Sequence, residues 1–336
     1  MTDVSIEQLR QRVAATRRPQ FRLPKRFVGA RFDNFVVDPQ FSGQRQAIDK
    51  ITTLINTPEP QPSRLPWRRT KDELGYRGVY LDGPPGIGKT HLLASAFQTA
   101  AEPKLFATFD EFSAAAGTLG MRRLKHLLGN QRLVCIDEID LRDPGNIMLL
   151  TSLVRAMLEG RPRILATANA DPTRMDSGHS YAEAFELELG EIASAFEIVK
   201  VDGFDWRESG SAAQYRGERD ASDVRTVHFE DASLKAFLAE THPMYDAAWL
   251  DEVDRIDIEQ LLPLADTDEA LRFVRFVDRV YDRGVMLSTD RFGVSLDVLL
   301  APVKNDRRFG LHYARCRSRL IELMEASSST SLRIGS

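Results

Sequence analysis

The sequence predicts an α/β fold built on a parallel β-sheet. Apolar runs with strand character occur in order at 78–82, 104–108, 132–137, 163–168 and 197–201, and helical segments separate them. Because parallel strands need a crossover connection, usually a helix, this alternation is typical of a parallel sheet with right-handed crossovers. The 336 residues are 43% hydrophobic, which suffices for one large core and a smaller second one. We therefore expect two domains.

The first of these strands leads into a phosphate-binding loop. GPPGIGKT at 83–90 follows the strand GVYLD and opens a helical segment at 90–100. Its glycines let backbone N–H groups converge on the phosphates of ATP or GTP, Lys89 supplies a positive charge, and the Thr90 hydroxyl can ligate Mg²⁺. A chance match in a surface loop fits this strand–loop–helix setting poorly, and the positive end of the helix faces the anion. The residues expected to contact the nucleotide here are Gly83, Pro84, Pro85, Gly86, Ile87, Gly88, Lys89, Thr90 and His91.

An acidic pair follows a later strand. The run LVCIDEID at 133–140 begins with four apolar residues and then presents Asp137 and Glu138. In a parallel α/β sheet the carboxyl ends of the strands bind ligands, so both carboxylates are expected at the binding edge. We expect Asp137 to hold Mg²⁺ and Glu138 to be the general base that activates water. The alternative is a buried strand that ends in solvated acids, and the upstream phosphate loop disfavours it.

A polar residue also ends the next strand, RILATAN at 163–169. Asn169 lies where its amide can touch the γ-phosphate or orient the attacking water, and we interpret it as a sensor. Lys89, Glu138 and Asn169 are thus the expected catalytic residues. An acidic pair, rather than a lone Asp, with a sensor Asn one strand later resembles the AAA+ ATPases.

Several runs of the chain further resemble the ZapE-like family, whose mitochondrial relatives share the fold. These runs are VYLDGPPGIGKTHLLASAF, RLVCIDEIDLRDPGN, ILATAN, VDGFDWR, RFVRFVDRVYDRGVMLS and ARCRSRLIEL. The resemblance covers roughly residues 30–322, and the last two runs are its specific part, because phosphate loops occur in many families. It implies an AAA+ core with a smaller C-terminal lid, hydrolysis of ATP with Mg²⁺, and ATP-dependent homo-oligomers. It further implies a protein remodeller, linked in bacteria to the division ring, with FtsZ as the leading client, and in mitochondria to protein quality control.

The chain departs from this family in one stretch. AAA+ enzymes usually place an arginine from a neighbouring subunit against the γ-phosphate, carried near the helix before the fifth strand. From 175 to 199 the sequence has neither Arg nor Lys but six acids. His179 is a weak substitute at neutral pH. Arg142 and Arg174 are the nearest alternative donors, although each also suits a solvated loop.

A second domain is expected after the polar stretch that follows DGFDWR. A short strand at 226–230 and a helix starting near Ser233 open it, and a helix at 266–284 is its clearest element. Asp266, Thr267 and Asp268 offer N-caps and Gly284 suits the C-terminal cap. We assign this element as a lid helix. Arg272, near the start of this helix, is expected to reach the bound nucleotide. Alternatively, Arg272 forms a surface salt bridge, or Arg207 contacts the nucleotide in its place.

The N-terminal segment and the proline-rich stretch suggest further domain boundaries. Eight basic side chains in the first 31 residues indicate a solvated or partner-docking arm. Trp67 among arginines in the proline-rich stretch suits a peripheral membrane or partner contact, or packing on the ATPase domain. The expected divisions are a basic N-terminal arm and helix at 1–56, a linker at 57–74, the ATPase core at 75–208, a polar loop at 209–224, the lid at 225–325 and a flexible tail at 326–336.

Composition narrows the function classes. A formal charge of −4 and a pI near 6.0 argue against a generic nucleic-acid binder, which needs a strongly basic face. Two cysteines, Cys135 and Cys316, are too few for a disulfide framework and suit buried positions in a reducing compartment. With no apolar run of membrane-spanning length and no secretory signal, we expect a cytoplasmic protein. Two other functions stay open: a helicase-loader type of ATPase linked to nucleic acid, and an ATP switch that turns over slowly.

Overall fold

The computed structural model describes residues 2–16, 21–58, 74–84, 86–141, 144–168, 185–204, 224–242, 245–292, 294–304 and 310–331. The chain divides into two compact units. We call residues 21–23 and 27–212 the central unit, and residues 1–20, 24–26 and 213–336 the terminal unit.

The elements are numbered along the described chain. In order they are β1 (Thr2–Asp3), α1 (Ile6–Ala15), α2 (Ser42–Asn56), β2 (Gly78–Asp82), α3 (Lys89–Thr99), β3 (Lys104–Thr108), α4 (Phe109–Leu119), α5 (Met121–Gly129), β4 (Leu133–Ile139), α6 (Pro144–Glu159), β5 (Arg163–Ala168), α7 (Glu186–Ala195), β6 (Phe196–Lys200), β7 (Arg225–Phe229), α8 (Asp231–Glu240), α9 (Asp246–Leu250), β8 (Arg255–Leu261), α10 (Thr267–Arg283), β9 (Met286–Phe292), α11 (Leu296–Leu299), α12 (Ala301–Lys304) and α13 (Gly310–Ser331).

The central unit contains a five-stranded sheet in the order β3-β4-β5-β2-β6. Every neighbouring pair in it is parallel, so the predicted α/β fold with a parallel sheet is confirmed. Each predicted strand of this sheet is present within two residues of its expected ends. Because β4 and β5 are neighbours and β2 lies beside β5, the carboxyl ends of these three strands meet at one edge of the sheet.

Hydrophobic cores cover both faces of the central sheet. Val134 and Ile136 of β4 pack into a core with α4, α5, α6 and α7. Leu133 and Cys135 of the same strand face the other core, with α2 and α3. Strands buried on both faces read as near-continuous apolar runs, which is why the sequence pattern located them.

The terminal unit contains a second parallel sheet, in the order β1-β7-β8-β9. The strand and two helices predicted in this region correspond to β7, α8 and α10. In α10 the Asp266 carboxylate accepts a hydrogen bond from the Glu269 amide at 2.8 Å, and Gly284 ends the helix with a left-handed φ of 64°, as the capping pattern predicted. β8 and β9 were not predicted from the sequence.

Helices α10 and α13 share a buried ion cluster, which we call the Asp278 cluster. The Asp278 carboxylate accepts from Arg315 Nη2 at 2.5 Å and from Arg319 Nη1 at 2.6 Å. Arg319 is only 2% exposed and also lies 3.4 Å from Asp282. Because buried charges need partners, this cluster couples the two helices.

The N-terminal residues are an integral part of the terminal unit. Thr2 donates its amide to Val224 O at 2.9 Å, α1 buries Leu9, and Arg10 and Arg12 pair with Glu240 and Glu252. The sequence suggested a solvated or partner-docking arm, whereas the structure uses this segment as an edge strand and a packed helix. The predicted division at 1–56 therefore differs from the observed units, in which residues 1–20 group with 213–336.

Both cysteines are buried, as expected. Among the described residues, no helix is both long enough and apolar enough to cross a bilayer.

Candidate nucleotide site

The loop between β2 and α3 has the backbone that a phosphate cradle needs. Gly86 and Gly88 adopt left-handed φ angles of 82° and 92°, which only glycine adopts at little cost. Gly88 is also the N-cap residue of α3. The loop therefore turns sharply and presents the amino end of an 11-residue helix, which favours an anion.

Close packing around the loop also requires glycine. A Cβ on Gly83 would lie 2.2 Å from the backbone oxygen of Val201 and 2.7 Å from Cδ1 of Ile87. A Cβ on Gly88 would lie 2.5 Å from the ring of Phe35. The loop is thus held between the segment that follows β6 and the segment that precedes α2.

A buried glutamine joins these two flanking segments. The Gln44 side chain accepts from the Asp38 amide at 2.8 Å and donates to Asp202 O at 3.2 Å. Gln44 is fully buried. The two segments that flank the loop are therefore linked by hydrogen bonds as well as by apolar contact.

The ammonium group of Lys89 lies inside the loop. Nζ donates to Gly83 O at 2.6 Å and to Pro84 O at 2.7 Å, and the residue is buried. The positive charge of Lys89 is therefore enclosed by the backbone of the loop.

The acidic strand reaches the loop through Asp137. Thr90 Oγ1 lies 3.2 Å from Asp137 Oδ1, and Asp137 is 4% exposed. A hydroxyl and a carboxylate at this separation are hard oxygen donors of the kind that Mg²⁺ takes, with its remaining positions left to water and phosphate. The two side chains fit a magnesium ion.

Glu138 has an unusual backbone. Its φ of 56° is left-handed although it is not glycine, and the β4–β5 register shifts between Ile136 and Ile139. A bulge of this kind re-aims a side chain and is frequent next to active sites. Glu138 is partly exposed, so water can reach it.

Sequence reasoning missed Thr167, which hydrogen-bonds the carboxylate of Asp137 and the backbone amide of Glu138. Its Oγ1 donates to Asp137 Oδ1 at 2.5 Å and accepts the Glu138 amide at 2.9 Å. The available signal was a hydroxyl residue inside the apolar run 163–168, on the strand that follows the acidic one along the chain.

The other predicted site residues have different outcomes. Pro85 and Asn169 lie outside the described residues, as do the alternative residues Arg142, Arg174, His179 and Arg207. His91 Nε2 lies 3.0 Å from Arg31 O, and burial lowers the pKa of His91, which favours its neutral ring. Arg272 lies in the second turn of α10 in the terminal unit and is partly exposed. Contact of His91 or Arg272 with nucleotide stays a prediction.

Comparison with known proteins gives a family match over most of the chain. The model of the AFG1-like ATPase family matches residues 24–241 and 212–330. The cell division protein ZapE of Escherichia coli (strain K12) is 22% identical over an alignment 344 positions long, which covers 83% of this chain and 90% of that protein. ZapE of Escherichia coli O157:H7 gives the same values.

Solved structures give weaker similarities. The crystal structure of DnaI is 16% identical with a TM-score of 0.40, over 53% of this chain and 94% of that one. The AMPPCP-bound DnaA from Aquifex aeolicus is 16% identical with a TM-score of 0.39, over 57% and 58% of the two chains.

Proposed function

Because the chain belongs to the AFG1-like ATPase family, we propose that it binds ATP at residues 83–90 and hydrolyses it to ADP and phosphate. The observation that carries this proposal is the convergence on Asp137. The Thr90 hydroxyl of the phosphate loop and the Thr167 hydroxyl both meet its Oδ1 atom. A phosphate loop and an acidic strand joined in this way form one site.

Binding uses the loop and the start of α3. Backbone N–H groups of 83–90 and the helix N-terminus attract the phosphates. The Lys89 ammonium exchanges its bonds to Gly83 O and Pro84 O for phosphate oxygens. Thr90 and Asp137 would hold Mg²⁺, which neutralises developing negative charge when bound.

Hydrolysis requires a base near the γ-phosphate, and we assign this role to Glu138. Its carboxylate takes a proton from water as the new O–P bond forms and the bond to the ADP oxygen breaks. The acid remains partly exposed, so water can reach it. Asn169, one residue beyond β5, is assigned to orient that water.

Phosphate release by the purified chain tests the enzymatic part. Lys89→Ala removes the phosphate-directed charge, and we expect it to lose nucleotide affinity and hydrolysis together while remaining folded. Wild-type affinity for a fluorescent ATP analogue in this folded variant would show that the loop is not the nucleotide site.

We further propose that ATP turnover acts on a protein client in a bacterial cytoplasm, with the division protein FtsZ as the leading candidate. Support comes from the similarity to ZapE, which is named a cell division protein, and from the net charge of −4. A negatively charged chain is poorly suited to general binding of nucleic acid.

Sedimentation of FtsZ polymers measures client activity directly. With GTP in excess, added chain and ATP should reduce the pelleted polymer, whereas Lys89→Ala should not. Unchanged pelleting, with no co-precipitation of FtsZ from cells, would remove FtsZ as the client. ATP hydrolysis stimulated by single-stranded DNA would instead favour a helicase-loader function.

The second candidate function is an ATP switch that hydrolyses ATP slowly, and a specific sequence feature favours it. Residues 175–199 contain neither Arg nor Lys, although a trans arginine in such sites is worth roughly 10³–10⁵ in turnover. If no other arginine completes the site, the chain would bind ATP, change shape and turn over slowly. A monomer with ATP bound at every protein concentration would support this switch.

A further inference from the structure

The pairing of β4 with β5 changes at the acidic pair. Ile136 is opposite Ala166 and Ile139 is opposite Ala168. Two residues of β4, Asp137 and Glu138, therefore face the single residue Thr167. This is the two-against-one arrangement of a β-bulge, which normally leaves one residue outside the regular ladder.

The Thr167 hydroxyl bonds both residues of the bulge. As a donor it contacts Asp137 Oδ1 at 2.5 Å, and as an acceptor it receives the Glu138 amide at 2.9 Å. A threonine hydroxyl has one hydrogen to donate, and Thr167 is 1% exposed, so bulk water does not compete for these bonds. The orientation of the hydroxyl is thereby fixed.

The restraint by Thr167 matters most for the backbone of Glu138. A left-handed φ of 56° is unfavourable for a residue with a side chain and persists only where the surroundings hold it. The bond from the Glu138 amide to Thr167 is a restraint that acts at this strained residue. On the other side of Thr167, Asp137 is held in the position from which it meets Thr90.

We propose that Thr167 is a positioning residue for hydrolysis, whose hydroxyl fixes the metal-directed carboxylate of Asp137 and the backbone of the base Glu138 together. This inference rests on the proposed ATPase function. Thr167 itself does not contact the reacting atoms in this role. Its removal should therefore disturb metal binding and turnover while leaving the phosphate loop able to bind nucleotide.

The test compares Thr167→Val, which keeps the shape and removes the hydroxyl, with Thr167→Ser, which keeps the hydroxyl. Partners that orient metal ligands typically change metal affinity or activity by about 10–100-fold when removed. For Thr167→Val we expect kcat to fall by that factor while the Kd for ATP stays within about threefold. Thr167→Ser should stay close to wild type. If Thr167→Val does not fold, Thr167→Ala is measured in its place.

A second readout does not depend on turnover. Mn²⁺ binding to the ATP-bound protein, followed by electron paramagnetic resonance, should weaken about tenfold in Thr167→Val and recover in Thr167→Ser. A purely structural role would lower the melting temperature without moving the Mn²⁺ affinity or separating kcat from the Kd for ATP.

Three outcomes separate the hypotheses. Thr167→Val with wild-type kcat and Mn²⁺ affinity overturns the positioning role, as does an equal loss in Thr167→Ser and Thr167→Val. A wild-type protein that releases no phosphate overturns the proposed ATPase function, and the Mn²⁺ measurement then still decides whether Thr167 orients Asp137.

Discussion

Gly83→Ala should inactivate the site through a backbone clash. The added Cβ would lie 2.2 Å from Val201 O, whereas even close carbon–oxygen contacts are about 3.3–3.6 Å. The oxygen belongs to backbone next to β6 and is not a flexible side-chain end. The loop must therefore shift by about 1 Å. A displacement of that size costs roughly 100-fold in catalysis, which corresponds to about 2.7 kcal/mol of transition-state stabilisation.

The assay combines titration of a fluorescent ATP analogue with measurement of kcat/KM from phosphate release. Gly117→Ala is the matched control, because Gly117 lies in α4 and, apart from the adjacent backbone of its own helix, no atom lies within 4 Å of the added Cβ. That change should leave activity unaltered and favour the helix by up to about 1 kcal/mol. Gly83→Ala with kcat/KM within threefold of wild type would refute the argument from packing.

Other perturbations give distinct expectations. Asp278→Ala removes the acceptor of the buried arginine bonds in the Asp278 cluster and should destabilise the terminal unit by about 3 kcal/mol. Hydrogen exchange in α10 and α13 measures this, with Glu240→Ala at the exposed pair with Arg10 as the nearly silent control. Equal protection in the two variants would contradict it. Burial lowers the pKa of His91 below 6.5, so its contribution to stability is present above that pH and is lost as the pH falls. The melting temperature of wild type should consequently drop more between pH 7 and pH 5 than that of His91→Gln, and parallel curves would contradict this. With ATP, Glu138→Gln should form an oligomer in light scattering, whereas nucleotide-free protein stays smaller; an identical mass in both states would argue against assembly.

The central unit could be predicted from sequence because its strands are buried on both faces. Runs such as 133–136 have no polar interruption and can therefore be recognised in the sequence as buried strands. In contrast, β8 places Ile256 and Ile258 in the core while the intervening Asp257 stays partly exposed. This short alternation, at Arg255–Leu261, was obscured by the stronger helical pattern that follows it.

Contacts between distant segments of the chain are harder to predict from sequence. Thr2 and Asp3 pair with Arg225 and Thr226, more than 200 positions away, and two residues carry no strand signal of their own. The eight basic side chains of the first 31 residues suggested a solvated or partner-docking arm, whereas Arg10 and Arg12 have acidic partners in the same unit.

The candidate site shows the same contrast. The phosphate loop and acidic pair are continuous motifs, so the sequence located them directly. The role of Thr167 depends on a bulge that sets two residues of β4 against one of β5. That register follows from how the strands pair in space, and no spacing within either strand encodes it.

The measurement that tests the proposed ATPase most directly is phosphate release by Glu138→Gln under conditions where ATP binding is measured in parallel. The substitution preserves size and hydrogen bonding but cannot accept a proton at the carboxylate. We expect ATP affinity close to wild type and a hydrolysis rate lower by at least about 100-fold. A Glu138→Gln protein that hydrolyses ATP at the wild-type rate would contradict the assignment of Glu138 as the base.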